Sequence, residues 1–175
     1  MPNPTSPSRS RLARACAPLA AGLLALTLTA CSDAEIDDAA QQAKDAAGEA
    51  RSAVDGLRAQ LDDARAEADA AEQKVADVKA QLESFDESVR ADAQTAVTDA
   101  ETAVANAKSA LDKAQAEGAA ASQEALADAR AQVADATTEL DAAKGNAAGS
   151  AADSLDELAR QLTTLGDKLE ASAGS

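Results

Sequence analysis

Histidine, tyrosine and tryptophan are missing from the 175 residues, and phenylalanine occurs once, at Phe85. A large mixed core needs such side chains, so the chain is predicted to build a thin, small-residue core. Without histidine, the usual general base and metal ligand is lacking. Without aromatic platforms there is no stacking surface for sugars or bases. Zinc-ligand spacing does not occur, nor does a loop of the Asp-x-Asp-x-Asp-Gly type that would hold calcium. Asp and Glu are plentiful, but an acid/base pair needs a concave pocket that drives two carboxyl pKa values apart, and a helical rod makes none. The expectation is therefore no enzyme, no cofactor and no metal site.

Proline is confined to Pro2, Pro4, Pro7 and Pro18, and cysteine to Cys16 and Cys31. The first thirty residues account for this distribution. Arg9, Arg11 and Arg14 make a basic start, and the apolar run Ala15 to Ala30 ends in small residues, which is the pattern of a secretory signal peptide. Arg14 and Asp33 bracket an uncharged stretch of 18 residues, short of the roughly 20 that span a bilayer comfortably. Residues 1–30 are thus predicted to be removed. Cys16 leaves with them, and Cys31 remains as the single cysteine, so an intrachain disulfide is excluded.

Leu28-Thr29-Ala30-Cys31 resembles the lipobox of bacterial lipoproteins, a branched apolar residue and two small residues before an obligatory cysteine. The resemblance implies that Cys31 is alkylated by a diacylglyceryl group, cleavage falls between Ala30 and Cys31, and the new amino group is open to acylation. A thiol nucleophile at the membrane surface is the chemical reason for cysteine there. More than one acyl chain would anchor stably where a single chain binds reversibly. The implied location is extracytoplasmic: the outer membrane where the organism has one, otherwise the outer face of the cytoplasmic membrane.

Removal of the leader leaves 13 basic residues against 31 acids, a net −18. Nucleic acid is excluded as a partner, because a phosphate backbone needs clustered Lys and Arg. Anionic lipid would repel the body of the protein, which leaves the membrane contact to the anchor.

From Cys31 onward, 44 of 145 residues are alanine, the best helix former, and none is proline. The fold class is all-α: a long alanine-rich coiled-coil helix or helical hairpin over residues 31–144, a loop at 145–150, and a short C-terminal leucine helix at 151–175. Heptad position a takes Ala40, Ala47, Val54, Leu61, Ala68, Val75, Leu82 and Val89; position d takes Ile36, Ala43, Ala50, Leu57, Ala64, Ala71, Val78 and Phe85. Every a and d position from Ile36 to Val89 is apolar, a seam about 80 Å long if unbroken. Arg51, Arg58 and Arg65, each four residues before an aspartate, mark a solvated flank and contribute little.

Beyond Val89 the register slips to Ala93, Val97, Ala100 and Val104, a stutter. It marks either a continuous, locally unwound helix or a turn near residues 84–92, with Ser84 and Glu87 forming a capping box. The first alternative is favoured by Leu82, Phe85 and Val89, which stay in register through the turn. A second discontinuity falls at Gly118. The stretch beginning Val97 matches that beginning Leu126 at eight of eighteen positions, implying two similar helical segments. In "KGNAAGSAAD", Gly145 reads as a helix C-cap, and Ser150 with Asp153 as the next N-cap.

Leu155, Leu158, Leu162, Leu165 and Leu169 form a leucine seam, five of the eleven leucines after Cys31. It either folds onto the alanine seam, self-associates, or offers a docking face to a partner protein. Alanine burial contributes about 0.8 kcal/mol per methyl, against roughly 1.5–3 for a whole Leu or Val. Stability must then come from helix length, propensity and association, as a homo-oligomer or an intramolecular bundle.

Cys31, Ser32, then Ala34-Glu35-Ile36-Asp37 and a long heptad rod are similar to the murein lipoproteins, especially their alanine-zipper variants. That family's C-terminal lysine, joined to peptidoglycan, has no counterpart here: the chain ends Ala-Gly-Ser and its last lysine is Lys168. The expectation is a lipid-anchored coiled-coil lipoprotein with a spacer or interaction role in the bacterial envelope, its partner an envelope protein or the cell wall. The alternatives are an apolipoprotein-like or protective amphipathic helix protein that orders on a partner or lipid surface, and an adaptor using the Leu155–Leu169 face.

Overall fold

Alanine-rich sequence without proline yields helix almost throughout. The computed structural model describes residues Asp33–Gly174, in which α1 runs Asp33–Gln81, a short 3-10 turn Leu82–Ser84, α2 Glu87–Glu117, α3 Ala119–Asn146 and α4 Ser150–Ala173. The predicted signal segment and Cys31 lie outside the described residues. The chain divides into two units, Met1–Gln42 and Ala43–Ser175. The described part of the first is helix.

Within the second unit, pairs across helices fix the topology. Arg65 pairs with Asp112, Lys108 Nζ lies 2.8 Å from Asp69 and 2.6 Å from Glu72, and Lys79 Nζ lies 2.6 Å from Glu101. As the α1 number rises the α2 number falls, so the two are antiparallel. Asn106 on α2 meets Gln132 on α3; Arg130 and Lys144 on α3 meet Glu170 at 2.7 Å and Asp156 at 2.9 Å on α4. Gln161 and Ser154 on α4 return to Glu67 (2.6 Å) and Gln81 (2.9 Å) on α1. The result is an up-down-up-down four-helix bundle.

The core runs along the seam that the heptad pattern marks, but only part of it is covered. From Leu61 to Val78 every a and d residue of α1 is buried, whereas residues 37–56 are exposed, Val54 at 47%. The two similar segments form α2 and α3: Val97, Val104 and Leu111 are buried, as are their counterparts Leu126, Val133 and Leu140. Of Arg65 and Asp69, read in sequence as an i,i+4 pair, the first pairs with Asp112 and the second with Lys108, both on α2. Bundle packing has overridden the weaker pairing along one helix.

The α1–α2 junction takes the hairpin alternative, and the continuous helix is overturned there. Leu82, Phe85 and Val89 close the end of the core instead of extending the rod. Ser84 is not the N-cap: its hydroxyl donates back to the Gln81 carbonyl at 2.6 Å, and Asp86 precedes α2. Arg90 fastens the turn, its Nη2 donating to the carbonyls of Glu83 (3.1 Å) and Phe85 (2.8 Å). Gly145 is not a C-cap either, since α3 continues to Asn146; Gly149, not Ser150, precedes α4.

A single residue, Gly118, joins α2 to α3, and its φ of 90° and ψ of 153° lie where only glycine is comfortable. An added Cβ would meet nothing within 4 Å, so any cost of substitution is purely backbone. Gly118→Ala is expected to destabilise the bundle by about 1–3 kcal/mol. Gly145→Ala, in open space within a helix, should instead gain up to about 1 kcal/mol. Urea midpoints of the two variants check the contrast.

Candidate functional site

The leucine seam proposed as a docking face is consumed internally. Leu155, Leu158, Leu162, Leu165 and Leu169 are each 0% exposed, facing the alanine seams of their own chain. This corrects the docking reading: small alanine side chains on the neighbouring helices leave the space that leucine fills, and an external partner has no access to the same face.

The surface that remains is charged and shallow. Open grooves of about 280 Å³ between α1 and α2, around Glu72, Lys79 and Glu101, and about 240 Å³ between α3 and α4, around Arg130, Thr137 and Gly166, are the spaces between helix ridges. Among the described residues no buried side-chain polar atom lacks a partner. The hydroxyls of Ser122 and Ser172, both buried, donate to the carbonyls of Gly118 (3.1 Å) and Lys168 (2.9 Å). Among the same residues no cluster of three or more His, Cys, Asp or Glu is arranged to hold a metal ion. No described helix is long and apolar enough to cross a membrane.

Charge placement is where the surface departs from a uniform acidic coat. Hydrogen bonds to Lys108 hold Asp69 below the usual carboxylate range, and hydrogen bonds to Lys144 do the same for Asp156. The lysines are raised in turn, Lys108 by Asp69 and Glu72, Lys144 by Asp141 and Asp156. Glu139 on α3 moves the other way: its carboxyl shares a hydrogen bond with Asp99 on α2, is partly desolvated, and feels the charges of Asp99 and Asp135.

These shifts set opposite pH dependences. The raised Glu139 means that the folded chain holds this proton more tightly than the unfolded one. Its contribution is complete below the ordinary glutamate range and fades as pH rises through the raised value. The lowered Asp69 and Asp156 contribute above the ordinary aspartate range and lose their effect as pH falls through their depressed values. Stability is therefore expected to rise on mild acidification from neutrality and to fall in stronger acid. Glu139→Gln should raise the urea midpoint at about pH 7 and shrink the gain seen at about pH 5. An unchanged pH profile in that variant would refute the assignment.

The remaining candidate surface is the exposed stretch of α1, where Ala43, Ala46, Ala47, Ala50, Ala53 and Val54 line one side. The lipidation candidate Cys31 precedes α1, which begins at Asp33. Comparison with protein-family models, with curated proteins and with solved structures gives no match.

Proposed function

We propose that this chain is an exported bacterial lipoprotein, anchored through acylated Cys31, whose helical body serves as a spacer or interaction element of the cell envelope. The single observation that carries the reading is the order of features in the sequence. A basic start and an apolar run lead to Leu-Thr-Ala-Cys, and helix begins two residues later. An acidic body that anionic lipid repels fits a protein whose membrane contact is the acyl anchor alone. The exposed part of α1 is the surface offered to an envelope partner.

The test is metabolic labelling with a fatty acid analogue, comparing the native chain with Cys31→Ser. Label on the native chain, its loss in the variant, and a mature N-terminus at position 31 are expected. A native product that is unlabelled and begins at Met1 would sink the proposal. The protective or apolipoprotein-like alternative predicts no label together with helicity that rises on adding lipid.

A further inference from the structure

The three connections of the bundle are built differently. Gly118 and Gly149, with φ of 90° and 58°, hold conformations that bar other residues and so impose their turns. The α1–α2 turn contains neither glycine nor proline. Its two extended residues, Phe85 (φ −75°, ψ 151°) and Asp86 (φ −56°, ψ 140°), already have φ values close to those of a helix. Rotation of these two ψ angles, with the 3-10 turn Leu82–Ser84 relaxing to α, would turn the hairpin into one straight helix. The apolar register is also prepared for that form, since Leu82, Phe85 and Val89 continue the a and d positions of α1 without a break.

From these observations we infer that residues 82–86 are a hinge, and that two copies of this chain exchange α1 by straightening it. In the exchanged pair α1 and α2 form one continuous helix, and the α1 of each chain occupies the bundle of the other. The pairs that join α1 to α2, 65 with 112, 69 with 108 and 79 with 101, all straddle Val89 to within about a residue. Two straightened helices set antiparallel about a two-fold axis at Val89 therefore remake each of them between chains. The partner is a second copy of the same sequence, and its contacts are those already present in one chain.

The balance is a small difference. Closing the hairpin keeps the two Arg90 bonds and the Phe85 N–H bond to the Leu82 carbonyl, 3.1 Å long. Straightening replaces them with the intrahelical bonds that the end of α1 and the start of α2 otherwise forgo. Association also costs translational freedom, so low concentration favours the closed monomer. Exchange of an identical element is a low-cost route to a dimer because nearly every contact is conserved. The two α1 helices leave such a dimer in opposite directions, which disfavours exchange between chains anchored in one leaflet. The inference itself does not depend on the anchor.

Native pairs supply the probe. Lys79 and Glu101, like Lys108 and Glu72, stand 2.6 Å apart, within reach of zero-length carbodiimide coupling. Full-length chains, half of them carrying heavy nitrogen, are mixed, unfolded in urea, refolded together in detergent micelles at low and high protein concentration, separated by size and coupled. The dimer fraction should contain Lys79–Glu101 links between light and heavy peptides, and the monomer fraction only links of one isotope. Arg90→Ala should raise the dimer-to-monomer ratio about tenfold at fixed concentration, and two glycines inserted after Asp86 should lower it. Absence of dimer at every concentration, or dimers whose links are all of one isotope, would overturn the inference. The second result also separates exchange from two anchored chains sharing a micelle.

Discussion

Leu158→Ala is expected to destabilise the bundle by about 3 kcal/mol, read as a shift of the urea midpoint followed by circular dichroism. Leu158 is 0% exposed and, among the described residues, one of eight fully buried leucines, five of which stand on α4. In a core whose other residues are mostly Ala and Val, with Phe85 at one end, each leucine provides roughly two to four times the burial energy of an alanine methyl. A truncated leucine leaves a cavity that rigid neighbouring helices do not collapse to fill. Domains of this size are stable by only about 5–15 kcal/mol in all, so one such residue is a large share. Val54→Ala is the control, because Val54 is 47% exposed and its truncation should stay within about 0.5 kcal/mol. A Leu158→Ala cost below about 1 kcal/mol would mean that α4 is not docked as described.

The all-α class was legible because its causes are local: abundant alanine, no proline after Pro18, and a seam that holds its spacing. The break at Gly118 was legible for the same reason, glycine being the residue that tolerates φ of 90°. The turn at residues 82–86 was half legible: the slip after Val89 and the Ser84–Glu87 pattern offered a turn near 84–92 beside the continuous helix, and only packing decides between the two. Leu82, Phe85 and Val89 satisfy a straight seam and a closed bundle end equally well. Where the bundle stops covering α1 was also hidden. Ala47 and Ala68 share heptad position a, yet one is exposed and the other buried, because the lengths of α2 and α4 set the limit. The leucine seam announces that something must cover it, but not whether the cover comes from the same chain. Cys31 rests on sequence pattern alone.

Ala68→Leu tests the opposite property of the same core. Ala68 is 0% exposed, and along α1 the neighbouring seam positions Ala64 and Ala71 are equally closed. Alanine there lets helices approach closely, and three added carbons must either push α1 outward or force strained rotamers in a close-packed interior. The expected cost is about 2–3 kcal/mol, lowering Tm by on the order of 10 °C. Ala47→Leu, at the same heptad position on the exposed stretch, should leave the bundle within about 0.5 kcal/mol of the native value. The sign is informative because leucine burial alone would favour the variant by more than 1 kcal/mol if room existed. Destabilisation at position 68 therefore measures how closely the alanine seams fit. Stabilisation there would show that the helices stand far enough apart to take larger side chains.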